Sequence, residues 1–232
     1  MRAVAARRIV PLLVGAVSRR AGFTTMQIEV ERKFEPPTDV EALSCIISTH
    51  GGEKVGEKTF SDTYYDTAAC ALTSRDTWLR RRDGAWELKL PVDAAAKRSG
   101  GERTVFREVE GTVEVNSALS ELVDGAGQTL EDTLRSAALV PFAEFSTVRT
   151  KWKLGRASID ADIASFGHAV MEIEVMCANP SEVAQAEEEI AGVAELIGAK
   201  PLGALGGKLE TYIRRHAPKV LAALVEAGIL LP

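Results

Sequence analysis

The fold turns on residues 28–34, Ile28-Glu29-Val30-Glu31-Arg32-Lys33-Phe34. Residues two apart in a strand share a face. Ile28, Val30 and Phe34 then lie on one side, and Glu29, Glu31 and Lys33 on the other. A half-solvated strand has the same look, but here the pattern keeps returning. Trp78, Arg80 and Arg82 share a face. Glu87 and Lys89 oppose Trp86, Leu88 and Leu90, and Arg149, Lys151 and Lys153 oppose Val148, Trp152 and Leu154. Asp160 and Asp162 oppose Ile159 and Ile163, and Glu172 and Glu174 oppose Met171, Ile173 and Val175.

The rows segregate by sign. Carboxylates gather at 29/31, 160/162 and 172/174, and cations at 80/82, 89 and 149. A row of one sign on one strand repels itself, which makes sense if something sits between the rows. Closing the sheet into a barrel puts the charged rows inside and the apolar rows outside, under helices. Arg and Lys would then hold a polyanion, and divalent cations would bridge it to the carboxylates. Alternation alone leaves this tunnel and a plain solvated sheet both open.

Strand patterns cover 27–34, 58–66, 76–83, 85–91, 103–113, 145–154, 156–164 and 168–176. Helix patterns cover 38–49 (Thr38 as cap, Glu41 completing a capping box, Gly51-Gly52 as the stop), 117–124, 129–139, 181–197, 207–216 and 218–227. Residues 91–101 read as a loop. The short connections favour an antiparallel sheet over a doubly wound one. The expectation is an α+β protein, with residues 26–232 forming a single domain.

The 232 residues carry 28 Lys+Arg and 33 Asp+Glu, a net charge of −5, with 46% hydrophobic and 26% charged residues. Those values exclude disordered classes. A sequence pI near 5.4 argues against a basic coat for nucleic acid or an anionic membrane. Cys45, Cys70 and Cys177 share no CxxC spacing, and His50, His168 and His216 no ligand spacing, which disfavours a disulfide framework or a zinc site. Residues 1–25 hold five arginines and no acid, which leaves −10 for the rest of the chain. This reads as a mitochondrial transit segment, or as a leader left unused because translation starts at Met26. The location is then the mitochondrial matrix or the cytoplasm. No long exposed apolar stripe is evident, which favours a monomer.

The chain also holds DTYYDT at 62–67, WLRRR at 78–82, WELK at 86–89, Arg149 with Trp152, DAD at 160–162, MEIE at 171–174 and GKL at 207–209. With Glu29-Val30-Glu31-Arg32-Lys33 as an ExExK signature, this order resembles the CYTH superfamily, also called triphosphate tunnel metalloenzymes, over residues 27–220. Its details are similar to those of the animal members that act on thiamine triphosphate. The resemblance implies an eight-stranded antiparallel β-tunnel with helices packed outside, and hydrolysis of a triphosphate with Mg²⁺. It implies metal-side carboxylates at Glu29, Glu31, Asp160, Glu172 and Glu174. Asp160 and Glu172 also count towards the substrate site. Phosphate-binding cations are implied at Lys33, Arg80, Arg82, Lys89, Arg149 and Lys208. Asp162 would support these from behind. Lys151 and Lys153 are expected towards the tunnel mouth or solvent, and Arg107 either in the tunnel or on the surface. Lys33 is either a phosphate ligand or a base, with Tyr64 as its catalytic companion or a packed strand aromatic.

Trp78 shares the face of Arg80 and Arg82. An indole face attracts a cation, and thiamine carries a cationic thiazolium, so Trp78 is the expected platform for the organic half. A packing role is its plainer reading, and Trp86 and Trp152 are expected to pack. The rival functions are an inorganic tripolyphosphatase, an adenylate cyclase and a polyphosphate binder without catalysis.

Overall fold

The computed structural model describes residues 27–92, 103–203 and 206–232, with Arg103 as backbone alone. The expected leader and most of the expected loop at 91–101 lie outside the described residues. Eight strands form: β1 Gln27–Phe34, β2 Glu53–Asp66, β3 Trp78–Arg82, β4 Ala85–Pro91, β5 Arg103–Glu110, β6 Val140–Leu154, β7 Ala157–Ala164 and β8 His168–Cys177. The α-helices among the described residues are α1 Val40–Thr49, α2 Thr112–Leu119, α3 Leu130–Ser136, α4 Val183–Leu196, α5 Lys208–His216 and α6 Pro218–Glu226. The strand order is β1-β5-β4-β3-β2-β6-β7-β8, every ladder is antiparallel, and a β1–β8 ladder closes the ring. This is the expected barrel with helices outside.

The alternation of each strand decides what the helices cover. Val30, Ile159 and Ile173 point outward and are fully buried beneath α1 and α4, against Ile47 and Ile190. Each such side chain contributes about 1.5–3 kcal/mol by leaving water. Trp152 is buried in the same layer, and its Nε1–H donates to Ser44 Oγ at 3.0 Å. On another wall, Leu79 and Leu88 meet Val115, Leu119 and Leu130 of α2 and α3. Trp86 packs here against Tyr65, their ring centroids 4.9 Å apart. Both tryptophans pack as expected. A third cluster joins Ile213 of α5, Leu224 of α6 and Leu230 to Trp78 and Phe106. Trp78 and Phe106 face inward, so the C-terminal helices close over one end of the barrel. No helix among the described residues is long and apolar enough to cross a membrane.

Several boundaries differ from the sequence reading. Asp39, not Thr38, caps α1, its Oδ1 accepting from the backbone N–H of Glu41 and Ala42 at 2.9 and 3.0 Å. β2 and β6 extend to Glu53 and Val140. Register shifts at Lys54/Gly56 and Tyr64/Tyr65 accommodate Gly56 and Pro141 within these ladders. β5 ends at Glu110, and α2 starts at Thr112, earlier than the expected 117. Gly111 makes the corner at φ 95°, open to few residues other than glycine.

Candidate active site

The inner faces of the strands enclose a cavity of about 700 Å³. Glu29, Glu31, Lys33, Tyr64, Trp78, Arg80, Arg82, Lys89, Arg149, Glu172, Glu174 and Lys208 all line it. Among the described residues the lining holds eight Lys and Arg and eight Glu, so the wall is close to neutral. Alternation suggested cations on one side and carboxylates opposite. The strand order agrees for these rows, setting β7, β8 and β1 side by side and the cation rows on β4, β3 and β6, and the signs meet where β6 borders β7 and where Arg80 of β3 faces Glu87 of β4.

All of these cations but Lys58, which lies over the Phe60 ring, are held by carboxylates. Arg80 grips Glu87 through Nε at 2.9 Å and Nη2 at 2.5 Å, and Arg82 grips Asp62 at 2.7 and 2.8 Å. Such forked pairs fix the guanidinium plane. Arg149 bonds Asp162 through Nε and Nη2 at 2.7 and 2.6 Å, Glu172 at 3.0 Å, and Asp160. Lys208 bonds both oxygens of Glu172 at 2.9 Å, and also Asp162. Lys89 joins Glu29 and lies 2.9 Å from Glu108. Lys151, expected towards the mouth or solvent, lines the wall and reaches Glu174 at 3.1 Å. Lys153 bonds the Arg156 carbonyl at 3.2 Å in the β6–β7 turn, outside the cavity. Arg107 is paired in register with outward-facing Ile28, so its side chain belongs to the outer face.

The five expected metal-side carboxylates divide. Glu29, Glu31 and Glu174 bring one oxygen each within 4.8 Å of one another. An all-oxygen, all-carboxylate set suits a hard divalent cation. Glu172 spends its oxygens on Arg149 and Lys208, which hold its carboxyl far below the usual range although burial opposes them. Asp160 departs furthest from expectation. It is fully buried, does not line the cavity, and supports Arg149 and Lys151 from behind. Burial raises its carboxyl to about 6 despite Arg149, and its Oδ1 has no hydrogen-bond partner. Asp162 is fully paired behind the wall, as expected of a supporting group.

Lys33 and Tyr64 both line the cavity but do not bond each other. The Lys33 ammonium goes to Glu31. Tyr64 faces Arg80 across the β2–β3 ladder and packs on Phe142 and Phe145. Burial raises the Tyr64 phenol above its usual value, so it stays protonated at neutral pH. Gly207, which opens α5, passes so close to Lys33 that a Cβ there would lie 2.7 Å from Cε. This approach sets Lys208 over the tunnel beside Lys33.

Other lining residues were not singled out from the sequence. Thr104, Phe106, Glu108 and Glu110 alternate along β5 and face inward. The signal was present in their spacing, but Arg103, Arg107 and two valines obscured the row. Burial pushes Glu108 up to about 7 despite Lys89, with Glu29 and Glu87 adding to the rise. Burial would raise Glu87 too, but Arg80 outweighs it and holds that carboxyl at about 2.

The CYTH domain profile matches residues 27–202. The chain belongs to the CYTH family. Thiamine-triphosphatase of Homo sapiens is 34% identical over 214 residues, covering 87% of this chain and 90% of that one. The Macaca fascicularis enzyme of the same name is 32% identical over the same span. Among solved structures, a candidate adenylyl cyclase from Hippeastrum, described with a dominant triphosphatase activity, superposes with a TM-score of 0.52 at 21% identity. It covers 89% of this CYTH chain and 98% of its own. A Pyrococcus horikoshii OT3 protein superposes at 0.53 with 16% identity, over 82% and 99% of the two chains. These distant structures share the CYTH barrel.

Proposed function

We propose that this CYTH protein hydrolyses thiamine triphosphate to thiamine diphosphate and phosphate with Mg²⁺. The observation carrying this reading is one cavity that joins phosphate-binding cations to an apolar end formed by Trp78, Phe106, Ile213 and Leu230. The named enzymes from human and macaque, similar over nearly the whole chain, support it.

Terminal phosphoryl transfer to water asks for charge neutralisation, alignment and little covalent help. Arg80, Arg82, Lys89, Arg149 and Lys208 are the cations for the phosphate chain, each held in place by a carboxylate. Glu29, Glu31 and Glu174 would hold Mg²⁺, which supplies positive charge to the phosphate oxygens and to water. Lys33, next to that set, binds a phosphate oxygen or orients the attacking water. Protonated Tyr64 donates a hydrogen bond rather than acting as a base. Trp78 lays its ring against the thiazolium. The site is complete within one chain, which supports a monomer. An arginine-rich, acid-free leader supports delivery to the mitochondrial matrix where residues 1–25 are retained, and a cytoplasmic enzyme where they are not.

The test is kcat/KM with Mg²⁺ for thiamine triphosphate, tripolyphosphate and ATP. Thiamine triphosphate should lead, and Trp78→Ala should lower its ratio to tripolyphosphate about tenfold. Preference for tripolyphosphate would move the reading to an inorganic tripolyphosphatase. Cyclic AMP from ATP would indicate a cyclase, and tight binding without phosphate release a binder. Chelation should abolish turnover and Mg²⁺ restore it.

A further inference from the structure

We infer that Asp76 is a positioning residue for substrate choice, its carboxylate fixing the plane of the Trp78 indole at the cavity wall. Trp78 Nε1–H donates to Asp76 Oδ1 at 2.8 Å. Asp76 follows the short 3₁₀ turn Thr73–Arg75 and has left-handed backbone angles, φ 54° and ψ 33°. Its N–H is tied to the Thr73 carbonyl at 3.0 Å, so the carboxylate projects from a braced corner. Trp78 is 7% exposed, lines the cavity and touches the apolar end closed by α5 and α6.

Asn and Gly tolerate this backbone at least as well as Asp, so conformation alone does not call for a carboxylate. The charge matters at the indole. A charge-assisted bond removes rotational freedom about χ1 and χ2 more firmly than a neutral one. It also draws the N–H proton towards the oxygen and enriches the ring, which raises its attraction for a cation. Trp152 provides the contrast: buried in the outer core, it donates to the neutral Ser44 hydroxyl. Of these two indoles, the one facing the cavity has the anionic partner.

This role rests on the reading of Trp78 as the platform for a cationic organic group. Two full-chain variants test it. Asp76→Gly keeps the left-handed corner and removes the acceptor, while Asp76→Asn keeps the corner and a neutral acceptor. The ratio of kcat/KM for thiamine triphosphate over tripolyphosphate should fall about fivefold in Asp76→Gly, mainly through KM, and about twofold in Asp76→Asn. A purely structural role would lower both substrates alike and leave the ratio unmoved, and that result overturns the inference. Indole ¹H–¹⁵N spectra read the bond itself. The chain has three tryptophans, and loss of a resonance in Trp78→Phe assigns that of Trp78. It should shift upfield in Asp76→Gly, and a stationary resonance also overturns the inference. An unchanged ratio in Trp78→Ala removes the platform and this role with it. A collapsed ratio there with an intact one in Asp76→Gly removes only the role of Asp76.

Discussion

A methyl group on Gly207 would meet the far end of the flexible Lys33 side chain, not backbone. Gly207→Ala should therefore spare the fold and displace an ammonium. Activity should fall about tenfold, from misplacement alone, while the unfolding free energy from urea titration stays within about 1 kcal/mol of wild type. Arg149 is the opposite case. Arg149→Ala leaves buried Asp160 with only Lys151 and buried Asp162 with only Lys208, and should cost about 3 kcal/mol in urea unfolding besides abolishing turnover. Sequence alternation found Arg149, since its strand places it two residues from Lys151 on one face. It had no means of finding Lys208, whose place depends on a glycine corner and a helix start, and only the family resemblance pointed there. Asp160 shows the limit of alternation. Face is legible in a sequence, but depth behind a neighbouring side chain is not.

Elements with clean alternation and one apolar face were read correctly from spacing, as β1, β7 and β8 show. The reading failed where backbone geometry overrode composition. Gly111 looked like a strand interior and is the corner that starts α2, while Pro141 and Gly56, outside the expected strands, sit in ladders beside bulges. The cap of α1 moved by one residue because Asp39 outcompetes Thr38 for the same N–H groups. The pairing of β3 with β4 and of β6 with β7, which mixes the charges, needs strand order, and no single strand contains it. α6 carries a prediction of its own. Leu224 is fully buried at the apolar end, so Leu224→Ala should cost about 2–5 kcal/mol in chemical unfolding. The same change should raise KM for thiamine triphosphate more than for tripolyphosphate, measured side by side.

For the whole molecule, a net charge of −5 conceals a cavity wall in which, among the described residues, eight cations meet eight carboxylates. Burying carboxylates in that wall has a pH signature. Glu108 ionises near 4.5 when unperturbed and at about 7 in the fold. The folded protein thus holds the extra proton across that window, and its stability falls as pH rises through it. Glu108→Gln removes this slope. In urea titrations with a chelator present, the variant should gain on wild type from pH 4.5 to 7 and hold that gain above. The closed ring has a further consequence. Each of the eight strands has a neighbour on both sides, and the edges left are the ends where β2 before Asp62 pairs only with β6 and β6 before Thr147 only with β2, so few amides face outward to recruit a strand from another molecule. Nor can the sheet fray from a margin, since releasing any strand breaks two ladders at once. Amide hydrogens in the doubly paired part of the ring should then exchange with solvent only through its collective opening, and more slowly than those of Glu53–Ser61, which have one ladder.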